Sequence, residues 1–184
     1  MTESTIVRPP VGGWAKWAAI AGWAGIAAVA FAVFDRLGRG RTFFFDEWNF
    51  VLDRSHLSVE TLLAPHNGHL SLVPAGIYLS LFHTVGLDHY RVFRWVGTGA
   101  HIAVATLLVV HVARRRTPLT ALSVGAMFLF LGAGWQNSLW PFQIGFMGSL
   151  VGLLAALLLL GPKSRPSDLL ASSCLAVALA CSGV

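Results

Sequence analysis

Long apolar stretches separated by short polar segments dominate the chain. A bilayer core of about 30 Å requires about 20 apolar residues in a helix. Five stretches approach that length: residues 14–34, 91–113, 119–139, 142–160 and 169–184. The pattern predicts an all-α, polytopic helical membrane protein with about five transmembrane helices. The fifth stretch stops after 16 residues with no polar flank, so we expect the chain to be truncated at its C-terminus.

The predicted organisation has four parts. They are a cytoplasmic tail (1–13), a first transmembrane helix (14–34), an external loop with interfacial helices (35–90) and the remaining transmembrane helices (91–184). One segment of the loop, residues 69–87, is apolar enough to be a short span. Its proline, serines and histidines favour an amphipathic helix in the membrane interface. A crossing helix is the alternative.

Composition supports a membrane class and helps to predict orientation. Apolar residues make up 55% of the chain, charged residues 11%, and the mean hydropathy is +0.68, whereas soluble domains carry about 25% charge. Basic residues in short loops mark the cytoplasmic side, so the net charge of +5 does not indicate nucleic acid. Arg8, Lys16 and the Arg114-Arg115-Arg116 triplet therefore predict a cytoplasmic N-terminus in an integral membrane protein, in the plasma membrane.

Candidate chemistry concentrates in the predicted external loop. Six of the eight acidic residues and five of the seven histidines lie between residues 35 and 91. The acidic pair Asp46-Glu47 stands between Phe43-Phe44-Phe45 and Trp48. A carboxylate near the membrane surface costs free energy unless it is paired, hydrated or used in chemistry. The pair is therefore the first candidate for a functional site.

The pair admits a catalytic and a structural interpretation. A carboxylate beside an apolar wall is a better proton acceptor at neutral pH, and Asp46 is the first candidate for a general base. Glu47 would then orient the acceptor or support Asp46, because neighbours on a helix point about 100° apart. In the structural interpretation, Asp46 caps a helix that begins near Trp48, and Glu47 favours its positive end.

Five arginines lie on the predicted external side, where the positive-inside rule does not place them. Arg36, Arg39 and Arg41 follow the first span, and we expect Arg36 and Arg39 to share a helical face. Arg91 and Arg94 stand at the start of the next span. All five either anchor at lipid headgroups or bind a phosphate group.

Two further groups are candidate binding residues. His66 and His69 are three apart, which on a helix would place them on one face for a metal, but Pro65 and Gly68 favour a loop with hydrogen-bonding or substrate-contact roles. No metal site is predicted; a divalent metal is a possible cofactor. Gln136 and Asn137, with Gln143, either bind sugar hydroxyls or belong to a capped hairpin between two spans.

The layout resembles the N-terminal part of a known family. It has an N-terminal span, an external loop with Asp46-Glu47, the run Pro65-His66-Asn67-Gly68-His69-Leu70, and the segment 86–94 leading into a span closed by arginines. This arrangement, over residues 14–116, is similar to GT-C fold, polyprenyl-phosphate-sugar-dependent glycosyltransferases of the protein O-mannosyltransferase-like families. Trp48 follows the acidic pair where the family has a small residue, and the histidine run replaces a His-Pro-Pro-Leu-like one.

The resemblance implies an enzyme of the cell envelope. It would move a sugar from a polyprenyl-phosphate donor, with membrane lipids around it, to an acceptor hydroxyl of unknown identity at the external membrane face. Asp46 and Glu47 would be the catalytic residues, and the arginines, histidines and amides would contact substrate. The alternatives are a non-catalytic membrane scaffold and a subunit of a transporter for lipid-linked sugars. A transporter would place ionisable residues at mid-membrane.

Overall fold

The structure, a computed structural model, describes residues 13–54, 56, 58–160 and 165–182. The predicted tail, which contains Arg8, lies outside these residues except for Gly13. The described residues form helices joined by short loops, without strands. The α-helices are α1 (Gly13–Leu37), α2 (Glu47–Leu52), α3 (Val59–Leu63), α4 (Leu72–Val85), α5 (Tyr90–Ala113), α6 (Pro118–Leu129), α7 (Trp135–Leu139), α8 (Ile144–Leu159) and α9 (Arg165–Cys181). Two 3-10 turns cover Gly132–Gly134 and Pro141–Gln143.

The prediction of an all-α helical membrane protein is confirmed. Three helical segments of the described chain, α1, α5 and Pro141–Leu159, are long and apolar enough to cross a membrane. A fourth span is possible if α6 and the helical segment Gly132–Leu139 act together. The predicted fifth span corresponds to α9, which is shorter than this criterion requires.

The predicted span 119–139 is not one continuous helix. Helix α6 ends at Leu129, and the following helical segment is bent from it by 48°. Gly132 and Gly134 fall at the break, where glycine has low helix propensity. The imidazole Nε2 of buried His101 lies 3.4 Å from the Leu129 carbonyl oxygen, and its ring stacks on Phe128. The break directs the chain into α7 and the turn that precedes α8.

Helix α4 occupies the segment 69–87 that the sequence left between two interpretations. It has 14 residues, or about 21 Å of helix, which is less than the thickness of a bilayer core. Ala75, Tyr78 and Leu79 are buried, so one stripe of the helix packs against the protein. Helix α4 is therefore short and half-buried; its position in the membrane interface stays a prediction.

The core has two hydrophobic clusters. An aromatic cluster joins the loop residues 43–52 to α4, α5 and the start of α8; its buried members are Phe43, Phe50, Ala75, Tyr78, Tyr90, Phe93 and Ile144. A second cluster joins α1 to α5 and α6 through Ala30, Phe34, Ala105 and Leu129. Helices α8 and α9 approach closely at Gly152, where a Cβ atom would lie 2.5 Å from the Cys174 carbonyl oxygen.

The helix ends collect on two opposite faces. The end of α1, the described residues of the loop 38–71, the start of α5, the 130–143 connection and the end of α9 form the loop face. The start of α1, the end of α5, Arg114–Arg116, the start of α6 and the end of α8 form the arginine face, where the Arg114 guanidinium donates to the Leu158 carbonyl at 2.8 Å. This arrangement places the predicted external segments together and the predicted cytoplasmic ones together.

Candidate functional site

The fold separates the two carboxylates of the acidic pair. Glu47 is fully buried and accepts hydrogen bonds from the Tyr78 hydroxyl at 2.5 Å, the Tyr90 hydroxyl at 2.8 Å and the Phe44 backbone N–H at 3.0 Å. Burial raises the pKa of Glu47, although these hydrogen bonds oppose the rise. Asp46, by contrast, is half-buried. Only one carboxylate of the pair is therefore reachable by a substrate.

Local backbone geometry produces this division. Phe45 has a positive φ of 51°, and α2 begins two residues later. Asp46 occupies the N-cap position of α2, but its side chain makes no capping hydrogen bond. The prediction that the Asp46 side chain caps this helix is therefore wrong. Glu47 does lie in the first turn, although its carboxylate is directed to the two tyrosines.

Asp46 lines a cleft on the loop face with a volume of about 210 Å³, here named the Asp46 cleft. Its polar lining residues are Asp46, His66, Asn67, His69, Ser71, Gln143 and Ser182, and its aromatic lining residues are Phe50, Trp140, Phe142 and Phe146. The cleft is therefore lined by four parts of the chain: α2, the 64–71 loop, the α7–α8 connection and the end of α9. Carboxylate, imidazole, amide and aromatic groups together suit a polar, ring-shaped ligand.

The two histidines lie on a tight turn and not on a helix. His66 and His69 exchange two backbone hydrogen bonds of 2.9 Å, and Asn67 and Gly68 between them have φ values of 51° and 80°. Positive φ at both central positions is what a type I′ turn requires, and Asn-Gly is its preferred sequence. The helical metal-binding interpretation is therefore wrong. Within the part of the chain that the structure describes, no three His, Cys, Asp or Glu residues group to hold a metal ion.

His66 is a buried component of the cleft. Its ring lies between Phe50 and Phe142, with centroid distances of 5.1 and 5.2 Å, and its Nε2 is 3.3 Å from the Asn67 amide nitrogen. Burial, together with the charge of Arg54, lowers the pKa of His66. A neutral imidazole can accept or donate a hydrogen bond near Asp46 without adding a charge.

Sequence reasoning missed three residues that support the cleft. Tyr78 and Tyr90 hold Glu47, and Arg54 is 4% exposed. The Arg54 guanidinium donates to the carbonyl oxygens of Thr61 and Ala64 at 3.0 and 2.7 Å. Arg54 stands in a polar segment beside Asp53, and the tyrosines are distant in sequence from the acidic pair, so none of the three carried a signal.

Arg91 and Arg94 are engaged by Asp35 at the end of α1. Arg91 donates to both Asp35 oxygens, at 2.8 and 2.5 Å, and Arg94 contacts the same carboxylate at 3.4 Å. Arg94 is buried and also reaches the Phe34 carbonyl. These contacts join α1 to α5 and give both arginines a structural role; their predicted contact with phosphate stays a prediction.

Arg41 lines a second cleft of about 400 Å³, here named the Arg41 cleft. The other lining residues are Thr42, Phe43, Phe44, Tyr90, Trp135, Leu139 and Trp140. The Arg41 guanidinium lies 5.5 Å from the centroid of Trp135. Trp140 lines both clefts, so the two are neighbours on the loop face.

The remaining candidate residues are less central. Arg36 and Arg39 are exposed and do not share a helical face, because α1 ends at Leu37. Gln136 and Asn137 lie on α7 and line neither cleft. Gln143 is the amide of this region that reaches the Asp46 cleft.

Comparisons of the chain with protein-family models, curated proteins and solved structures find no match. The chemistry of the two clefts is therefore the basis for a functional proposal. A reachable carboxylate and a cation lie in adjacent clefts, with an aromatic wall between them. That combination can accept a proton on one side and hold an anion on the other.

Proposed function

We propose that this chain is a membrane glycosyltransferase, or part of one, that moves a sugar from a polyprenyl-phosphate donor to an acceptor hydroxyl at the loop face. The supporting observation is the division of the acidic pair. Glu47 is held by two tyrosines and a backbone N–H, while Asp46 lines an open cleft beside two histidines. One carboxylate serves the fold, and the other is available as a general base.

The proposed reaction is a single displacement at the sugar. Asp46 takes the proton from the acceptor hydroxyl while the acceptor oxygen bonds to the anomeric carbon. The bond between that carbon and the phosphate oxygen breaks, and the electron pair leaves with polyprenyl phosphate. The charge that develops on the phosphate must then be stabilised by cations or hydrogen-bond donors.

Arg41 is the cation best placed for this phosphate. It lies in the cleft adjacent to Asp46, with Trp140 as the common wall. The planar guanidinium can hold two phosphate oxygens at once. Arg36 and Arg39 are exposed on the same face and attract the anionic donor to it.

Trp140 and the amides of the Asp46 cleft supply contacts for a sugar. The Trp140 ring stacks on Phe142 at a centroid distance of 5.2 Å. Its buried indole N–H makes no hydrogen bond of normal geometry, although it lies near the Glu47 carboxylate. Gln143 and Asn67 add amide groups that hydrogen-bond to hydroxyls.

The test of the base is Asp46→Asn, with Asp53→Asn at the exposed C-cap of α2 as the matched control. Sugar transfer from a panel of polyprenyl-phosphate hexoses is measured in membranes that contain equal amounts of each variant. Asp46→Asn should lower transfer by about 100-fold or more, the scale of general-base catalysis, and Asp53→Asn should leave it near the parent rate. Unchanged transfer in Asp46→Asn would exclude Asp46 as the base. Absence of transfer by the parent chain would favour the scaffold alternative.

The test of the phosphate contact is Arg41→Gln, with Arg116→Gln on the arginine face as the control. Arg41→Gln should raise the KM for the donor with unchanged membrane insertion. The KM for the acceptor should stay constant, because Arg41 lies outside the Asp46 cleft. Equal donor KM values for both variants would remove Arg41 from the donor site.

A further inference from the structure

The arginine face contains a groove that the proposed transfer reaction does not use. It lies between α1, α5 and α6 and has a volume of about 740 Å³, which is in the range of small-molecule sites. Its walls are apolar and include Ile20, Trp23, Val109, Val110, Ala121 and Leu122. Lys16 and Arg114 also line it, and both are exposed. We refer to it as the basic wedge.

The wedge has an apolar end and a charged end. At the apolar end, the Trp23 indole N–H donates to the Thr106 hydroxyl at 3.1 Å, and the Trp23 ring packs so tightly on Gly125 that a Cβ there would overlap it. Lys16 lies seven residues before Trp23 on α1, or about 10 Å along the helix axis. The wedge therefore extends about 10 Å from Lys16 to the Trp23 ring.

The charges of the wedge have one sign. Among the described residues that line it, none is acidic. The Arg114 guanidinium uses one nitrogen to donate to the Leu158 carbonyl, which fixes its position at the end of α5. An occupant that complements this site must be apolar along most of its length and anionic at one end.

We propose that the basic wedge binds one anionic phospholipid, with its phosphate between Lys16 and Arg114 and an acyl chain against α1, α5 and α6. Cations at the ends of membrane helices lie at headgroup level, where anionic lipids are present. A second copy of the chain is a poorer occupant. In a two-fold dimer through this surface, Lys16 and Arg114 would face their own like charges.

The proposal is tested with the purified 184-residue chain in neutral detergent micelles. Phosphatidylglycerol and phosphatidylcholine with identical acyl chains are added separately, and inorganic phosphate is added as a third probe. A lipid that binds the folded chain and not the unfolded chain raises the melting temperature as the lipid concentration increases. We expect a concentration-dependent rise with phosphatidylglycerol and little with phosphatidylcholine or phosphate. Equal shifts with the two lipids would overturn the proposal.

Variants separate a specific site from general attraction. The double variant Lys16→Gln/Arg114→Gln should weaken phosphatidylglycerol binding by about 10-fold or more, since hydrogen bonds to charged groups contribute about 1.5–3 kcal/mol. The control Arg116→Gln removes a charge on the same face outside the wedge and should have little effect. Equal losses in the control and the double variant would overturn the proposal.

A steric variant tests the apolar part of the wedge. Ala19→Phe adds a ring to the lining and leaves both cations in place, so it should also block phosphatidylglycerol. Its melting temperature without lipid reports whether it folds, and Ala19→Leu is the smaller substitution if it does not. Normal lipid binding by a folded Ala19→Phe or Ala19→Leu variant would exclude the wedge as the lipid site.

Discussion

The Tyr78 hydroxyl donates a hydrogen bond of 2.5 Å to Oε1 of Glu47, and so joins α4 to α2 across 31 positions of sequence. Tyr90 at the start of α5 donates to the other oxygen. Three helices therefore share one buried carboxylate. Since Asp46 is the adjacent residue, these bonds also fix the position of the proposed base in its cleft.

The first prediction concerns the strength of this network. Tyr78→Phe leaves a buried carboxylate oxygen without its donor and should destabilise the chain by about 1–3 kcal/mol, as measured by unfolding in detergent micelles. The control is Ser80→Ala on the same helix, whose exposed hydroxyl bonds only to the Gly76 carbonyl. A similar small loss for both variants would show that the bond to Glu47 contributes little.

The second prediction concerns pH. Burial raises the pKa of Glu47 above its ordinary value of 4.5, so the folded state holds this proton more tightly than the unfolded state. Its contribution to stability is then fully present below the unfolded pKa and is lost as the pH rises through the folded pKa. Glu47→Gln does not titrate. The unfolding free energy of the parent minus that of Glu47→Gln should therefore fall as the pH rises above about 4.5.

A pH series of unfolding measurements on the two proteins checks this sign. If the difference grows with pH, the tyrosine hydrogen bonds outweigh burial and the pKa of Glu47 is lowered. Tyr78→Phe gives a second comparison. Removing this hydrogen bond, which favours the charged form, should raise the pKa of Glu47 further and move the loss of stability to higher pH.

The third prediction concerns the contact between Gly38 and Arg94. A Cβ atom on Gly38 would overlap the Arg94 guanidinium, which is buried against the end of α1 and Asp35. Gly38→Ala should displace this cation and lower stability by about 2 kcal/mol, as expected for a broken buried network. The control is Gly25→Ala in α1, where a Cβ meets no atom within 4 Å and alanine favours the helix. Similar effects of the two substitutions would contradict the contact.

The fourth prediction concerns topology. Asp88 and Arg116 are both exposed and lie beyond opposite ends of α5. In a background with Cys174 and Cys181 replaced by alanine, Asp88→Cys should react with an impermeant maleimide added to intact cells. Arg116→Cys should react only after the cells are opened. The reverse pattern, with a cytoplasmic N-terminus, would mean that residues 69–87 cross the membrane.

Several features of the fold follow from local pattern. Apolar length predicts α1 and α5 to within three residues of their observed ends, because a helix that crosses lipid must satisfy its backbone internally over a fixed thickness. The length of α4, 14 residues, was not predictable in this way, because the apolar segment 69–87 is longer than the helix. The type I′ turn was also readable, because Asn67-Gly68 is its preferred pair, and Pro65 and Gly68 already favoured a loop over a helix at His66 and His69.

Other features depend on residues that meet only after folding. The break after Leu129 lies within a continuous apolar stretch, so hydropathy alone predicted a single span. The pairing of Arg91 and Arg94 with Asp35 joins positions about 60 residues apart, and sequence charge patterns could not distinguish it from phosphate or headgroup binding. The two clefts with Trp140 as a shared wall are likewise a product of packing.

The acidic pair shows the difference between what the sequence determines and what packing determines. The sequence by itself determined that two adjacent carboxylates lie beside aromatic residues, and apolar length predicted that this segment is near a membrane surface. Which carboxylate is buried depended on the tertiary structure. Tyr78 and Tyr90 come from separate helices, and only their packing creates a site where Glu47 is hydrogen-bonded and Asp46 is left to line the cleft.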